Sequence, residues 1–291
     1  MKWGLQVIHA WSKSPGSVEN VSQFLVDLAV EAEQAGWDGY FLWDHVYFDW
    51  QAIPIADPWT VLAAAACETS EIRLGTTVTP LPRRRPQIVA RQLVSLDQIS
   101  GGRAVLGVGL GGPGLGSEAG ADFGPFGEET RYRVLGEKCD EALDVITGLW
   151  SGEQVTHRGK HYTIDGVTFL PVPVQRPRIP IWIGGTKSKA LRRAAKYDGW
   201  VTGGPSPSAG DPGYTLDEVG DSVKKIMGHR ETDAPFDVAY AFEFPEDRRK
   251  MEALTGQAEE VGVTWMLDGI FGLRFNGKRA MEHVRKGPPQ L

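Results

Sequence analysis

An acidic residue and a histidine stand side by side where a predicted strand ends. The apolar stretch Gly39–Trp43 is typical of a buried strand, and Asp44 and His45 follow it directly. An imidazole beside a carboxylate suits proton transfer near neutral pH, because an unperturbed histidine titrates in that range. The alternative is a histidine that only forms a hydrogen bond at the edge of the fold. Asp44 and His45 are therefore the candidate catalytic residues.

Histidine and aromatic residues near two predicted strand ends are candidates for a substrate pocket. His9 ends the first predicted strand, while Trp11 and Trp50 lie a few residues beyond His9 and His45. Indole rings can wall a planar ligand, although they also serve as ordinary packing. The aromatic residues from Trp43 to Trp50 favour an apolar or aromatic organic substrate.

Hydroxyl groups and cations follow the third predicted strand, Ile72–Val78. Thr77 and Thr79 lie where this strand ends, and their hydroxyls either meet a polar ring or serve as strand packing. The run Arg83–Arg85 then precedes a predicted helix, where positive charge opposes the helix dipole. This run has three interpretations: it binds an anionic cofactor tail, forms interface ion pairs, or is simply solvated.

Two glycine-rich turns follow later strands. In the first, Gly107, Gly109 and Gly112 fit the G-x-G-x-x-G spacing of dinucleotide-binding folds, but no helical pattern begins until about Glu128. The small residues are better explained as backbone against which a flat ring lies.

The second glycine turn consists of Gly184, Gly185 and Thr186, between a predicted strand and a predicted helix. Unpaired N–H groups at the start of a helix bind anions, so this turn is a candidate phosphate site. A tight turn without a ligand is the alternative. The sequence shows no metal-ligand spacing, Walker loop or nucleophile elbow, and we expect no metal centre.

Strand patterns alternate with amphipathic helical patterns along the whole chain, which predicts a (β/α)8 TIM barrel, with a doubly wound sheet as the alternative. Residues 151–178 predict a short hairpin inserted before the fifth strand, and residues 203–214 predict a mobile rim loop. The eight strands are predicted at Trp3–His9, Gly39–Trp43, Ile72–Val78, Ala104–Leu110, Ile179–Gly184, Gly199–Thr202, Asp237–Phe244 and Thr264–Asp268.

Composition narrows the classes of partner. The 291 residues suffice for one barrel, and a formal net charge of −6 argues against nucleic acid or an anionic membrane as the main partner. No apolar run approaches the roughly 20 residues needed to span a bilayer. The first residues form a strand pattern rather than a signal peptide. Cys67 and Cys139, each placed on the apolar face of a predicted helix, fit free thiols, so we expect a cytoplasmic protein.

Several longer segments match one known family in order and spacing. They are AEQAGWDGYFLWDH at 32–45, RLGTTV at 73–78, SGGRAVLGVGLG at 100–111, PVPVQRPRIPIWIGG at 171–185, AAKYDGW at 194–200 and AEEVGVTW at 258–265. With them the chain resembles the bacterial luciferase-like superfamily of flavin- and deazaflavin-dependent oxidoreductases. The resemblance implies a single (β/α)8 barrel domain over residues 1–291, with an insertion, and a homodimer is the default expectation.

The resemblance also implies a cofactor and roles for particular residues. The cofactor is the deazaflavin coenzyme F420 or FMN, and His45 beside Asp44 donates or accepts the proton that accompanies hydride transfer. Thr77 and Val78 fall where many members have a non-proline cis peptide against the ring. Gly184, Gly185 and Thr186 match the phosphate-binding turn of the family.

Alternatives remain within this resemblance. The Asp44–His45 pair and the arginine run favour F420, whereas reduced FMN would also support monooxygenation with molecular oxygen. A flavin-binding protein without turnover is a third reading. The chain departs from the sugar-phosphate dehydrogenases of the superfamily, which carry Glu where it has Gly112, with Glu118 and Asp122 as possible replacements.

Overall fold

A closed parallel barrel forms the centre of the fold. The computed structural model of the chain describes residues 1–8, 10–11, 18–48, 53–111, 123–272 and 274–291. All barrel strands pair in parallel and close in the order β1-β10-β9-β8-β7-β4-β3-β2. Within the described ranges the strands are β1 (Lys2–Val7), β2 (Gly39–Leu42), β3 (Arg73–Pro80), β4 (Ala104–Gly109), β5 (Gln154–Arg158), β6 (Thr163–Thr168), β7 (Ile181–Gly184), β8 (Gly199–Gly203), β9 (Asp237–Phe242) and β10 (Trp265–Ile270).

Helices surround the barrel and connect its strands. One helix follows each barrel strand, so the predicted (β/α)8 TIM barrel is confirmed. No helix in the described part of the chain is long and apolar enough to cross a membrane. The helices are α1 (Val21–Gln34), α2 (Pro58–Glu68), α3 (Pro86–Ile99), α4 (Tyr132–Leu149), α5 (Ser188–Ala194), α6 (Leu216–Met227), α7 (Arg248–Glu260) and α8 (Gly277–Val284).

The predicted barrel strands are all present, and only their ends differ. β3 is longer than predicted because, after an irregularity beyond Thr76, it pairs with β4 again at Thr79 and Pro80. β9 is shorter than predicted, since the amide of Phe244 donates to the Asp268 carboxylate at 3.0 Å instead of to a neighbouring strand. Such ends depend on tertiary contacts, which a strand pattern does not contain.

The insertion before β7 is an antiparallel hairpin of β5 and β6, as predicted. Glu141 of α4 holds its turn, because the Glu141 carboxylate accepts from the amides of His161 at 2.9 Å and Tyr162 at 2.6 Å. Asp97 of α3 holds the segment that follows, accepting from the amides of Val174 and Gln175 at 2.7 and 3.0 Å.

Large side chains fill the half of the barrel where the strands begin. Alternate residues point inward, and the inward cluster contains Phe41, Trp182, Trp265 and Leu267. The Trp182 ring lies 5.1 Å from that of Phe41 and 5.4 Å from that of Trp265. Glycine makes room for them, since a Cβ on Gly39 would lie 2.5 Å from the Phe41 ring. A ligand must therefore enter from the opposite end, where the strands finish.

We call this open end the mouth. Each barrel strand contributes one residue to the mouth. This residue is the last inward-facing residue of the strand or an inward-facing residue directly after it. In chain order they are Ile8, Trp43, Val78, Gly109, Gly184, Gly203, Ala241 and Phe271.

The two cysteines differ in environment. Both are free thiols, and Cys139 is buried, which raises its pKa to about 12. Cys67 is exposed, so its predicted place on an apolar helix face is wrong. The reason is that α2 is apolar on nearly all sides around Ala63–Ala66, so its sequence does not distinguish an inner from an outer face.

Candidate active site

Asp44 lies at the centre of a buried cluster of charges behind the mouth. Its carboxylate accepts from Arg84 Nε at 2.8 Å, Arg84 Nη2 at 2.5 Å and Thr79 Oγ1 at 2.9 Å. Arg83 Nη2 also approaches Asp44 Oδ1, at 3.4 Å. The carboxylate side chain is fully buried, while the side chains of Arg83 and Arg84 are 7% and 16% exposed. The cluster thus pairs one buried carboxylate with two arginine side chains.

The charge cluster determines the ionisation of Asp44. Burial alone would raise the pKa of its carboxyl group, but the charges and hydrogen bonds of Arg84 and Arg83, with the Thr79 hydroxyl, outweigh burial and lower that pKa. Asp44 is therefore an anion at neutral pH. We assign it a positioning role rather than proton exchange.

The arginine run is thus partly structural. Arg83 and Arg84 are both paired with Asp44 within the chain, so the interpretation as a solvated cluster is wrong for these two residues. The single charge of Asp44 does not neutralise both guanidinium groups, so the interpretation of the run as a site for an anionic cofactor tail stays a prediction. Arg85 is exposed and precedes α3, where its side chain forms no capping hydrogen bond.

His45 faces the opposite side of the wall from Asp44. Its half-buried imidazole lies between two aromatic rings, with centroids 5.7 Å from Trp43 and 4.8 Å from Phe48. The link to the charge cluster is through the backbone, since Arg83 Nη2 donates to the carbonyl oxygen of Asp44 at 2.7 Å. That carbonyl belongs to the peptide bond that carries His45. The cluster therefore holds the imidazole in place from behind.

The end of β3 forms a bulge in the mouth. The peptide bond between Thr77 and Val78 is cis, as the family resemblance implies. Gln6 Nε2 donates to the carbonyl oxygen and to the hydroxyl of Thr77, each at 3.2 Å, which fixes the backbone that carries Val78. The half-buried Val78 side chain packs on the inward cluster. Thr79, by contrast, is fully buried, and its hydroxyl donates to Asp44. It therefore does not present this hydroxyl to the mouth, where the sequence predicted that it could meet a polar ring.

Three neighbouring strands present glycine to the mouth: Gly109 on β4, Gly184 on β7 and Gly203 on β8. A Cβ on Gly109 would lie 2.5 Å from Val78 Cγ2, and one on Gly184 would lie 3.0 Å from Val78 Cγ1. The side chain of Val78 thus fits against these two glycines. Val78 therefore covers Gly109 and Gly184, and this side of the mouth presents the Val78 side chain and the exposed backbone of Gly203, against which a planar ring can lie.

The turn predicted to bind phosphate lies directly after β7. Gly185 has a φ of +105°, and its carbonyl oxygen accepts from Trp200 Nε1 at 2.8 Å. The helix that follows, α5, has seven residues and no side-chain cap at its start. With so short a helix, any anion binding here would depend on the amides of Gly185, Thr186 and Lys187 more than on a helix dipole.

Of the three residues predicted to line a substrate pocket, the structure describes Trp11. Trp11 is buried in the main core, with its ring 5.0 Å from that of Phe24 on α1, so it does not wall the mouth. Its Nε1 donates to the carbonyl oxygen of Ile8 at 3.1 Å. His9 and Trp50 lie outside the described residues, as do Gly112, Glu118 and Asp122.

The rim loop 203–214 is anchored at the mouth by a residue that sequence reasoning missed. Glu243 Oε1 accepts from Ser206 Oγ at 2.7 Å, Ser208 N at 2.9 Å and Ser208 Oγ at 2.6 Å. Arg274 Nε lies 3.8 Å from the other oxygen of Glu243, and Arg274 Nη1 donates to Asp268. No local pattern marks Glu243, because its partners come from another loop. Gln6 was recognisable as a polar residue at an inward position of a buried strand.

The sequence profile of the luciferase-like monooxygenase family matches residues 5–253. The chain is 34% identical over 235 residues to the F420-dependent glucose-6-phosphate dehydrogenase of Nakamurella multipartita, covering 77% of this chain and 65% of that enzyme. The chain therefore belongs to the luciferase-like monooxygenase family and is an enzyme of that family.

Solved structures of two enzymes share the fold. An F420-dependent secondary alcohol dehydrogenase superposes with a TM-score of 0.74 at 18% identity, covering 99% of this chain and 98% of that one. The oxygenating constituent of a diketocamphane monooxygenase from Pseudomonas putida, in complex with FMN, gives a TM-score of 0.62 at 21% identity, covering 89% of this chain and 74% of that one. At these identities the likeness shows the fold.

Proposed function

We propose that this protein is an oxidoreductase that binds coenzyme F420 or FMN at the mouth and transfers a hydride to or from a small organic substrate. The observation that carries the proposal is the placement of His45. Its imidazole lies on the mouth side of β2 and is held there by the Asp44 cluster. A fixed, half-buried imidazole is the group that such a reaction needs for its proton.

The residues present fit a planar cofactor. Val78 fills the space over Gly109 and Gly184 and is fixed there, and Gly203 leaves exposed backbone on the neighbouring strand. In this proposal the ring lies against Val78 and the glycines, and the turn of Gly184, Gly185 and Thr186 holds phosphate. When bound, F420 or FMN supplies the hydride chemistry. The chain supplies the surface that orients the ring and the imidazole that moves the proton.

Asp44 and His45 have different roles in the proton transfer. Asp44 keeps its negative charge and stays paired with Arg83 and Arg84, so it does not compete for the proton. His45 donates a proton to the substrate oxygen in the reducing direction and accepts it in the oxidising direction. The rings of Trp43 and Phe48 limit the access of water to the imidazole.

The two cofactors lead to different chemistry. F420-dependent dehydrogenases among the similar proteins support a hydride-transferring enzyme with F420, which we favour. The match to the luciferase-like monooxygenase family supports a second candidate, monooxygenation with reduced FMN and oxygen. A flavin-binding protein without turnover is the remaining alternative.

Titration of the purified protein with F420 and with FMN, followed by absorbance and fluorescence, tests the proposal. Tight binding of F420 alone supports the hydride-transferring enzyme, and tight binding of FMN followed by oxygen uptake supports the monooxygenase. Binding of neither cofactor contradicts both. If wild-type protein with bound cofactor turns over none of a broad panel of substrates, the result favours the flavin-binding protein without turnover.

A further inference from the structure

The two sides of the mouth differ in character. We call Gly109, Gly184 and Gly203, with the Val78 side chain packed on the first two, the glycine wall. Its glycines belong to β4, β7 and β8, which are consecutive in the barrel. Directly across the ring of eight strands lie β10, β1 and β2, also consecutive. At the mouth these three strands present Phe271, Ile8 and Trp43, all members of one separate hydrophobic cluster that also includes Phe48. We call Phe271, Ile8 and Trp43 the apolar wall.

The apolar wall is continuous with His45. The strands register side by side, because Ile8 N donates to the carbonyl of Ile270 and Trp43 N donates to that of Val7, each at 3.0 Å. His45 follows Trp43 by two residues, and its ring lies 5.7 Å from that of Trp43 and 4.8 Å from that of Phe48. A molecule that reaches the imidazole therefore touches this wall.

The charge beside the apolar wall is already balanced. Arg274, which follows Phe271 closely in the chain, donates to the Asp268 carboxylate, to the Gly269 carbonyl at 2.7 Å and to the Phe244 carbonyl at 2.9 Å. Its Nε faces Glu243 at 3.8 Å. An arginine held by two carboxylates and two carbonyls offers little attraction to an incoming phosphate.

We propose that the apolar wall is the substrate-binding surface and that the substrate is an uncharged alcohol or carbonyl compound with an apolar group, rather than a sugar phosphate. This inference rests on the proposed function, since it places the cofactor against the glycine wall. The reacting carbon then lies between the two walls, within reach of His45. The apolar group of the substrate packs on Phe271 and Trp43, where each buried methylene strengthens binding.

The test uses a chain-length series of neutral ligands. Saturation-transfer NMR measures the affinities of isopropanol, sec-butanol, sec-hexanol and sec-octanol for the enzyme with and without bound F420 or FMN, with glucose 6-phosphate as the anionic comparison. We expect affinity to rise about three- to fourfold per added methylene group that the wall covers. Glucose 6-phosphate should bind more weakly than sec-hexanol.

Variants of one wall residue locate the effect. Phe271→Ala should flatten the chain-length dependence, and Phe271→Leu should largely restore it because leucine keeps an apolar contact. Phe236→Ala, at the opposite end of the barrel just before β9, serves as the control and should leave the series unchanged.

The outcomes separate this inference from the proposed function. Cofactor binding with a flat series, or with glucose 6-phosphate as the tightest ligand, overturns the apolar wall as substrate surface and leaves the proposed function standing. If neither cofactor binds, the proposed function fails. The series on the cofactor-free protein then still tests whether the apolar wall binds these ligands. A steep series that Phe271→Ala flattens then supports the wall, and an unaffected series overturns it.

Discussion

Asp44 and His45 are adjacent in the chain but face opposite sides of the barrel wall. Asp44 points outward to Arg84, with Nη2 and Oδ1 2.5 Å apart, while His45 lies inward between Trp43 and Phe48. One residue therefore supplies a fixed charge behind the wall, and the next supplies an imidazole at the mouth.

Replacing the buried anion should destabilise the protein. Asp44→Asn removes the charge with which Arg83 and Arg84 are paired, and breaking a buried pair in this way costs about 3 to 5 kcal/mol. Urea unfolding should show this loss in the free energy of unfolding. Asp165→Asn is the matched control, because the Arg158–Asp165 pair is highly exposed and should change stability by less than about 1 kcal/mol. Equal effects from the two variants would contradict a structural role for the Asp44 cluster.

Removing the imidazole should reduce turnover without preventing cofactor binding. His45→Ala deletes the proposed proton donor, and general acid–base groups contribute about 100- to 10,000-fold to the rate. The measurement is kcat together with the cofactor Kd. His229→Ala, in an exposed position after α6, should change neither quantity. A His45→Ala enzyme with unchanged kcat would refute the role of His45.

A methyl group on the glycine wall should weaken cofactor binding. In Gly184→Ala the new Cβ would lie 3.0 Å from Val78 Cγ1 and 3.4 Å from the Val108 carbonyl, so Val78 must move. We expect the cofactor Kd to rise about tenfold, which corresponds to about 1.4 kcal/mol. Gly256→Ala on α7 is the control, since nothing lies within 4 Å of its Cβ, and it should leave binding unchanged. An unaltered Kd in Gly184→Ala would argue against a cofactor on this wall.

The docking of the hairpin should depend on pH through Glu141. Burial alone would raise the pKa of Glu141, but hydrogen bonds from the amides of Tyr162 and His161, together with His157, lower it below the ordinary 4.5. A carboxyl group with a lowered folded-state pKa stabilises the protein above 4.5, and this contribution is lost as pH falls through the folded-state pKa.

We therefore expect Glu141→Gln to be less stable than wild type at neutral pH and the difference to shrink below pH 4.5. Urea unfolding at several pH values measures it, with the exposed Glu153→Gln as control. A difference that stayed constant down to pH 2 would show that Glu141 stabilises the hairpin by means other than its charge.

Loss of Glu243 should loosen the rim loop. Its carboxylate accepts three hydrogen bonds from Ser206 and Ser208, so Glu243→Ala should speed hydrogen–deuterium exchange in residues 204–211. Exchange in the β5–β6 hairpin serves as the internal reference and should not change. An unaltered exchange rate in the loop would show that other contacts hold it.

The sequence by itself determined the barrel, the positions of its strands and the residues that follow each strand end. Local patterns suffice for this, because a buried parallel strand is a short apolar run and a barrel places every strand end at one mouth. His45, Gly109 and Gly184 were located in this way, whereas Val78 was located through the resemblance to the family.

Only the tertiary structure decided how these residues are partnered. It turned Thr79 and two arginines toward Asp44, buried Trp11 against α1, and placed an apolar wall opposite a glycine wall. Each of these relations joins residues from different strands or helices. Their side-chain directions follow from strand register and barrel closure, and those are fixed by contacts between segments far apart in the chain.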